Sequence, residues 1–140
     1  MIFHLNPLAK WHNGKAVTAE DVVFSVNILK TEGHPNYRSI LQDVLSVRAI
    51  APLQVQFDLA KSPARDILGK VVSINILPRE FYEGKDFAKP SLEIPLGSGA
   101  YRIKSFDVGR SVTYERVPDY WGADILVNKG RNNFDAVSYT

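Results

Sequence analysis

The feature that most constrains the fold is a helix start that several residues specify together. Asn13-Gly14 is a dipeptide that tolerates positive φ and reverses the chain. Thr18 then stands where an N-cap residue belongs. Glu20 and Asp21 follow in the first turn, where carboxylates face the unpaired N–H groups and the positive end of the helix dipole. The pattern predicts a turn, a cap and a helix over residues 18–30.

The predicted helix carries apolar residues on two sides. At about 100° per residue, one side holds five of them: Ala19, Val22, Val23, Val26 and Leu29. Phe24 and Ile28 fall on nearly the opposite side. Two apolar faces need two partners, so either the helix lies on a sheet with a loop over its back, or it is wedged between this module and polypeptide outside this sequence.

Alternating apolar and polar residues predict two β-hairpins. In the first, residues 45–50 and 53–59 alternate cleanly on either side of Pro52, whose fixed φ suits a turn. The second joins residues 101–106 to 111–116 around a short turn.

Shorter elements complete the prediction, which gives an α+β fold. They are a strand at 2–5, a helical turn at 37–43, a short helix at 64–70 capped by Ser62, a buried strand at 71–77, a turn of helix at 79–83 and a last strand at 134–139. The long helix is predicted to pack on a mixed, mostly antiparallel sheet that the two hairpins largely form.

Composition limits the functional classes. The 140 residues suffice for one domain with a real core, and 17 basic against 15 acidic residues give a net charge of +2 without a basic stripe. Nucleic acid is therefore not expected as a partner. The absence of cysteine excludes a disulfide framework and a thiolate nucleophile. No apolar run approaches the roughly 20 residues that span a bilayer.

Two motif blocks carry a resemblance to a known family. The first consists of Phe3, Leu5, Trp11, Gly14, Val17, Thr18, Ala19, Glu20, Asp21 and Val22. It resembles the first signature of the bacterial extracellular solute-binding proteins of family 5, the peptide-binding receptors of ABC importers: Phe-x-Leu, then Trp-x-x-Gly-x-x-[Val/Leu]-Thr-Ala-[Glu/Asp]-Asp-Val. Asn13 departs from the acid or Ser often found there, and Ala16 from the usual Pro.

The second block lies in the last third of the chain. It consists of residues 97–103, 114–122 and 133–135, and includes Gly97-Ser98-Gly99-Ala100-Tyr101 and Tyr120-Trp121-Gly122. It is similar to the family's Gly-[Thr/Ser]-Gly-Pro-Tyr and Glu-Arg-x-x-x-Tyr-Trp-Gly, with Ala100 in place of the usual Pro. With both blocks in order, the resemblance covers nearly the whole chain. Residues 82–87 and 96–99 look most like the oligopeptide-type members.

The resemblance implies a function and a setting. Family members are two-lobed, several times longer than this chain, and close over a peptide or other small solute between the lobes. The chain is therefore expected to be a single module, residues 1–140, forming part of the first lobe of a class II periplasmic-binding-protein-like receptor. Expected partners are an oligopeptide or peptide-like ligand and an ABC permease. The expected location is periplasmic or extracellular, and no cofactor is expected.

Candidate ligand-binding residues are Tyr101, Tyr120 and Trp121, whose amphipathic rings suit a binding cleft. The alternative is that these rings only pack in a core. The full set of histidines is His4, His12 and His34. They show no catalytic or metal-ligand spacing, so neither enzymatic activity nor a metal site is expected. An α+β interaction domain with no transport role remains an alternative function.

Overall fold

The computed structural model describes residues 1–61, 63 and 65–140. The chain divides into two compact units. The first unit comprises Met1–Pro7 with Val17–Leu92, and the second comprises Leu8–Ala16 with Glu93–Thr140.

In the first unit, helix α1 spans Ala19–Thr31 and begins with a capping box. The Thr18 backbone N–H donates to Asp21 Oδ2 at 2.9 Å, and the Asp21 N–H donates to Thr18 Oγ1 at 3.4 Å. Glu20 and Asp21 lie in the first turn. The predicted cap and helix are therefore confirmed.

The end of α1 is set by a close approach of backbone to backbone at Gly33. The Gly33 N–H donates to the Ile28 carbonyl at 3.1 Å. A Cβ at Gly33 would lie 2.4 Å from the Leu29 carbonyl oxygen, a distance that no side chain tolerates. Glycine is required here for space, whereas elsewhere in helix ends it is often required for positive φ.

The first unit contains a three-stranded antiparallel sheet. Its strands are β1 (Ile2–His4), β2 (Val44–Ala51) and β3 (Gln54–Leu59), in the order β1-β3-β2. The predicted first hairpin and N-terminal strand are confirmed. Alternation along β3 buries Val55 and Phe57, as expected for a strand with one wet face.

A register shift in β2 changes which of its residues face the core. The pairing slips between Val44 and Ser46, so that Val44 is 1% exposed and Leu45 is 66% exposed. The sequence pattern predicted Leu45 on the apolar face. A bulge inverts the faces of a strand locally, and simple alternation does not reveal it.

The described residues of the first unit also form three short helices. They are α2 (Pro35–Ile40), α3 (Ile67–Val72) and α4 (Arg79–Tyr82). The predicted buried strand at 71–77 is wrong, because α3 extends to Val72 and residues 73–77, all of them described, form no strand. Ile67, Val71 and Ile74 are buried at helical spacing, a stripe that a short apolar run conceals. Ser62 and Ala64, the predicted cap and start of this helix, lie outside the described residues.

Two polar side chains of α1 hold the segment that follows α3. Ser25 is fully buried, donates from Oγ to the Asp21 carbonyl at 2.6 Å and accepts the Leu77 N–H at 2.7 Å. Asp21, 7% exposed, accepts the Arg79 N–H through Oδ1 at 3.0 Å. These bonds replace the ladder that a strand would have supplied.

The core of the first unit lies between α1, the sheet and α3. Its buried members are Ala19, Val22, Val26, Leu29, Leu41, Val44, Val55, Phe57, Ile67, Val71 and Ile74. The predicted helix face is confirmed as a core face. Ile28 is half-buried and packs against this same core, so the second apolar side of α1 is narrower than the sequence predicts.

The second unit contains its own three-stranded antiparallel sheet. Its strands are β4 (Tyr101–Asp107), β5 (Ser111–Arg116) and β6 (Ala136–Tyr139), in the order β4-β5-β6, and a 3₁₀ helix at Leu126–Asn128 precedes β6. The predicted second hairpin and last strand are confirmed. The prediction that both hairpins build one sheet is wrong, since each hairpin pairs with a different third strand in a separate sheet.

Candidate functional site

The residues of the second motif block form a hydrogen-bonded loop in the second unit. Ser98 Oγ donates to the Lys10 carbonyl at 2.6 Å, and the His12 N–H donates to the Gly97 carbonyl at 2.8 Å. His12 Nε2 lies 2.9 Å from the Gly99 carbonyl oxygen, a distance at which the ring donates in the corresponding tautomer. The loop at residues 97–99 is thus fastened to the segment around His12.

The chain reverses at Asn13-Gly14, directly after His12. Gly14 has a φ of 82° and donates to the Trp11 carbonyl at 2.8 Å, while the Trp11 N–H donates to the Lys15 carbonyl at 2.8 Å. Trp11 is buried at 6% exposure. The predicted turn is confirmed, and it follows His12, whose hydrogen bonds reach residues 97–99.

Trp121, one of the three candidate ligand residues, donates a hydrogen bond to this loop. Its Nε1–H donates to the Ser98 carbonyl oxygen at 2.8 Å and lies 3.0 Å from Ser98 Oγ. The indole ring meets the Tyr120 ring edge to face, with centroids 5.5 Å apart. The polar atom of Trp121 is therefore used in holding the loop.

Tyr120 lies over Gly122, where a side chain would displace the Tyr120 ring. A Cβ at Gly122 would lie 2.6 Å from the Tyr120 hydroxyl oxygen. The ring is half-buried and borders two hollows, of about 390 Å³ and about 40 Å³. The smaller hollow also touches Trp121 and holds little more than one water molecule.

Tyr101 lies apart from the other two candidates, on one face of the β4-β5-β6 sheet. Its hydroxyl donates to the Phe134 carbonyl oxygen at 2.8 Å. It borders the aromatic hollow, a recess of about 570 Å³ whose lining consists of Tyr101, Tyr114, Asn132, Asn133, Phe134, Val137 and Tyr139. The Tyr114 and Tyr139 rings meet edge to face at 6.0 Å.

The opposite face of this sheet is polar. Arg102 Nε donates to Glu115 Oε1 at 2.7 Å, and Lys104 lies 3.9 Å from the same carboxylate. Thr113 and Ser138 form a hydroxyl–hydroxyl hydrogen bond at 3.0 Å. One face is thus polar and charged and the other aromatic, as alternation in an antiparallel sheet predicts; Tyr101 and Tyr114 are half-buried on the aromatic face and Tyr139 is exposed.

The basic hollow is the 390 Å³ recess beside Tyr120. Its lining consists of Ala100, Arg116, Val117, Pro118, Tyr120, Ala123, Asp124, Asn128, Lys129, Gly130, Arg131 and Asn132. Three of these side chains are cationic and one is acidic. Asn132 borders both this hollow and the aromatic hollow.

The three predicted ligand residues therefore share a unit but do not line one pocket. Tyr101 borders the aromatic hollow, Tyr120 the basic hollow, and Trp121 the smallest one. Sequence reasoning missed Tyr114 and Tyr139. The pairing of Tyr114 with Val137, and of Val112 with Tyr139, places these rings on the face of Tyr101, and the strand alternation of the hairpin could have indicated this.

Two of the three histidines, His12 and His34, make hydrogen bonds to backbone groups. His34 caps α2 by accepting the Asn36 N–H at 3.3 Å, and His12 bonds the glycine-rich loop. Among the described residues no group of three histidine or acidic side chains is placed to hold a metal ion. None of the helices described there has both the length and the apolarity that crossing a membrane requires.

Comparison with known proteins gives a match over the whole chain. The family model described as "Bacterial extracellular solute-binding proteins, family 5 Middle" matches residues 1–140. YejA of Escherichia coli K12 is 39% identical over 135 residues, which cover 96% of this chain and 22% of YejA. The peptidoglycan-binding protein YepA of Agrobacterium fabrum is 37% identical over 139 residues, covering 99% of this chain and 23% of YepA.

A solved structure agrees with the fold. AppA of Clostridium difficile, described as a candidate peptide binding protein, superposes with a TM-score of 0.81 at 28% identity, over 99% of this chain and 29% of AppA. The chain spans about a fifth of the length of the curated relatives it matches.

Proposed function

Because the chain belongs to the bacterial extracellular solute-binding proteins of family 5, we propose that it is a module of an ABC-importer receptor that captures oligopeptides or peptide-like solutes. The observation that carries this proposal is the match of the family model to all of residues 1–140, with both motif blocks present in order. The peptide as ligand is supported by the description of AppA, which is similar over 99% of this chain.

The rest of the proposal concerns setting and partners. The receptor works in the periplasm or outside the cell and delivers its solute to an ABC permease. It binds and releases the solute without catalysing a reaction and needs no cofactor. The 140 residues form part of its first lobe, and Tyr101, Tyr120 and Trp121 are its candidate contacts to ligand, with Tyr101 and Tyr120 the better placed because each borders a hollow of ligand size.

A narrower ligand class competes with simple oligopeptides. YepA, 37% identical to this chain, is named a peptidoglycan-binding protein. The peptide stems of peptidoglycan fragments are peptide-like solutes, so this ligand falls within the same receptor function. A non-transport interaction domain remains the alternative from another class.

Calorimetric titration of the natural gene product that contains this sequence tests the proposal. We expect a mixture of three- to six-residue peptides to bind with micromolar or tighter affinity, and free amino acids to fail. A peptidoglycan tetrapeptide with and without its sugar separates the two ligand classes. Absence of binding to all of these peptides would contradict the receptor function and favour the interaction domain.

The 140-residue chain alone should bind peptides with an affinity weaker than micromolar. Receptors of this family enclose the solute between lobes, and one wall buries too little ligand to offset the lost translational freedom. Titration of the same peptide mixture into the isolated chain measures this. Micromolar affinity there would mean that the first lobe carries the whole site.

A further inference from the structure

The aromatic face of the second unit's sheet is apolar over all three strands, yet it is only partly covered. Cross-strand pairing and strand alternation put seven apolar side chains on this face: Tyr101, Ile103, Phe106, Val112, Tyr114, Val137 and Tyr139. Six of them are half-buried, and Tyr139 is 66% exposed. The described chain therefore builds no core on this side of the sheet.

The sheet of the first unit shows what covers such a face. It also has three antiparallel strands, and its apolar face packs in the core with α1 and α3, where Val55 and Phe57 are buried. The second unit, every residue of which is described, contains strands and a 3₁₀ helix but no α-helix. A sheet with one apolar face needs a second layer to bury it, and the second unit does not contain that layer.

One helix is wide enough to be the missing layer. Adjacent strands lie about 4.8 Å apart, so three strands span roughly 10 Å, which is about the diameter of an α-helix with its side chains. At about 570 Å³ the aromatic hollow has room for several apolar side chains of such a helix. The described residues that line it are aromatic, aliphatic or amide-bearing, and none of these lining side chains is charged. The recess therefore suits an apolar occupant.

Polypeptide outside these 140 residues is available to supply the helix. The matching family model is described as the middle part of the family, and the chain covers 22% of YejA and 29% of AppA. A helix that belongs to the same chain is held near the face, which raises its effective concentration above that of any free partner.

We propose that an amphipathic α-helix of the same receptor chain, from outside these 140 residues, packs on the aromatic face. Its apolar stripe fills the aromatic hollow and buries Phe134 and Tyr139, which are 72% and 66% exposed here. From the proposed function, this inference takes only that the chain is part of a longer receptor. Tyr101, whose hydroxyl donates to the Phe134 carbonyl, then serves packing, which leaves Tyr120 and Trp121 as candidate contacts to ligand.

Thiol labelling of the natural gene product, without ligand, tests the inference. Neighbouring residues of β6 give a matched pair, because Ser138 and Tyr139 lie on opposite faces of the sheet and this chain contains no cysteine. With any thiol elsewhere in the product replaced by serine, Tyr139→Cys should react with a maleimide at least about tenfold more slowly than Ser138→Cys. In the 140-residue chain alone, where both positions are exposed, the two variants should react at similar rates.

The other outcomes each overturn the inference. Equal labelling of the two variants in the natural product, whether fast or slow, would show that no layer covers the aromatic face selectively. Protection of position 139 that needs added peptide would make the recess a ligand site with Tyr101 as a contact, and protection lost on dilution would make the occupant a second copy. Phe134→Cys supplies the same readings if Tyr139→Cys prevents folding.

Photo-crosslinking identifies the covering segment. With p-benzoylphenylalanine at position 139 of the natural product, the crosslinked segment should lie outside these 140 residues and carry apolar residues at every third or fourth position. Apolar residues at every second position would indicate a strand and overturn the helix.

Peptide calorimetry separates this inference from the proposed function. A natural product that binds peptides while the thiol at position 139 reacts freely keeps the receptor function and loses the covering helix. A product that binds no peptide but protects position 139 fails as a receptor and keeps the helix.

Discussion

The carboxylate of Asp21 should contribute more to the stability of the first unit than the cap residue it partners. Its Oδ2 accepts the Thr18 N–H at 2.9 Å and the Thr18 hydroxyl at 3.1 Å, and its Oδ1 accepts the Arg79 N–H at 3.0 Å. The side chain thus joins the start of α1 to a residue 58 positions away. Removing it breaks a local and a long-range connection together.

The expected cost of Asp21→Ala follows from the donors it leaves behind. Two of the three are backbone N–H groups that are partly buried, and a hydrogen bond to a charged group contributes about 1.5 kcal/mol at the low end. The two together give a loss of roughly 3 kcal/mol. Thr18→Ala removes one weak cap bond of 3.4 Å and should cost about 1 kcal/mol.

Urea unfolding followed by far-UV circular dichroism measures the difference. With an m-value of about 1.5 kcal/mol/M, the Asp21→Ala midpoint should fall by roughly 2 M and the Thr18→Ala midpoint by less than 1 M. Glu20→Ala removes an exposed carboxylate from the same helical turn and should lower the free energy of unfolding by about 0.5 kcal/mol. An Asp21→Ala loss no greater than that of Thr18→Ala would refute the anchoring role.

Three further predictions concern single side chains. Hydrogen bonds from Ser46, and to a lesser extent from Gln56, lower the pKa of Asp58 below its usual 3.8. The ionised Asp58 carboxylate therefore stabilises the folded state fully above pH 3.8, and this stabilisation is lost as the pH falls through the lowered pKa. Ser46→Ala should bring the Asp58 titration seen by carboxyl NMR closer to 3.8. Gly33→Ala should destabilise by about 2 kcal/mol in urea unfolding, since its Cβ would meet backbone. Trp121→Phe should cost about 1 kcal/mol in the same assay through loss of its indole hydrogen bond.

Local signals in the sequence predicted the elements whose causes are local. The capping residues of α1, the turn at Asn13-Gly14 and both hairpins follow from side chains only a few positions apart. The strand predicted at 71–77 is wrong because the contacts that fix this segment are not local. A short apolar run has no decisive period, and the bond from Leu77 to the buried Ser25 is a long-range fact that no window of sequence contains.

The candidate site was predicted less completely than the fold. Tyr101, Tyr120 and Trp121 were selected for being aromatic within a motif, and the structure distributes them over three hollows. Lys129 and Arg131 carry no motif and were overlooked. The sequence does not show that a loop places these two charged side chains at the edge of one recess.

Several motif residues make contacts that hold the second unit together. The Trp121 side chain uses its only polar atom, Nε1, in a hydrogen bond to Ser98. Gly97 leaves room for the His12 ring, which a Cβ at position 97 would meet at 2.9 Å. Residues engaged in this way specify how the second unit folds. Lys129 and Arg131 lie outside the motifs and border the basic hollow. Relatives that share the motifs but differ at these two positions should therefore share the fold of the second unit.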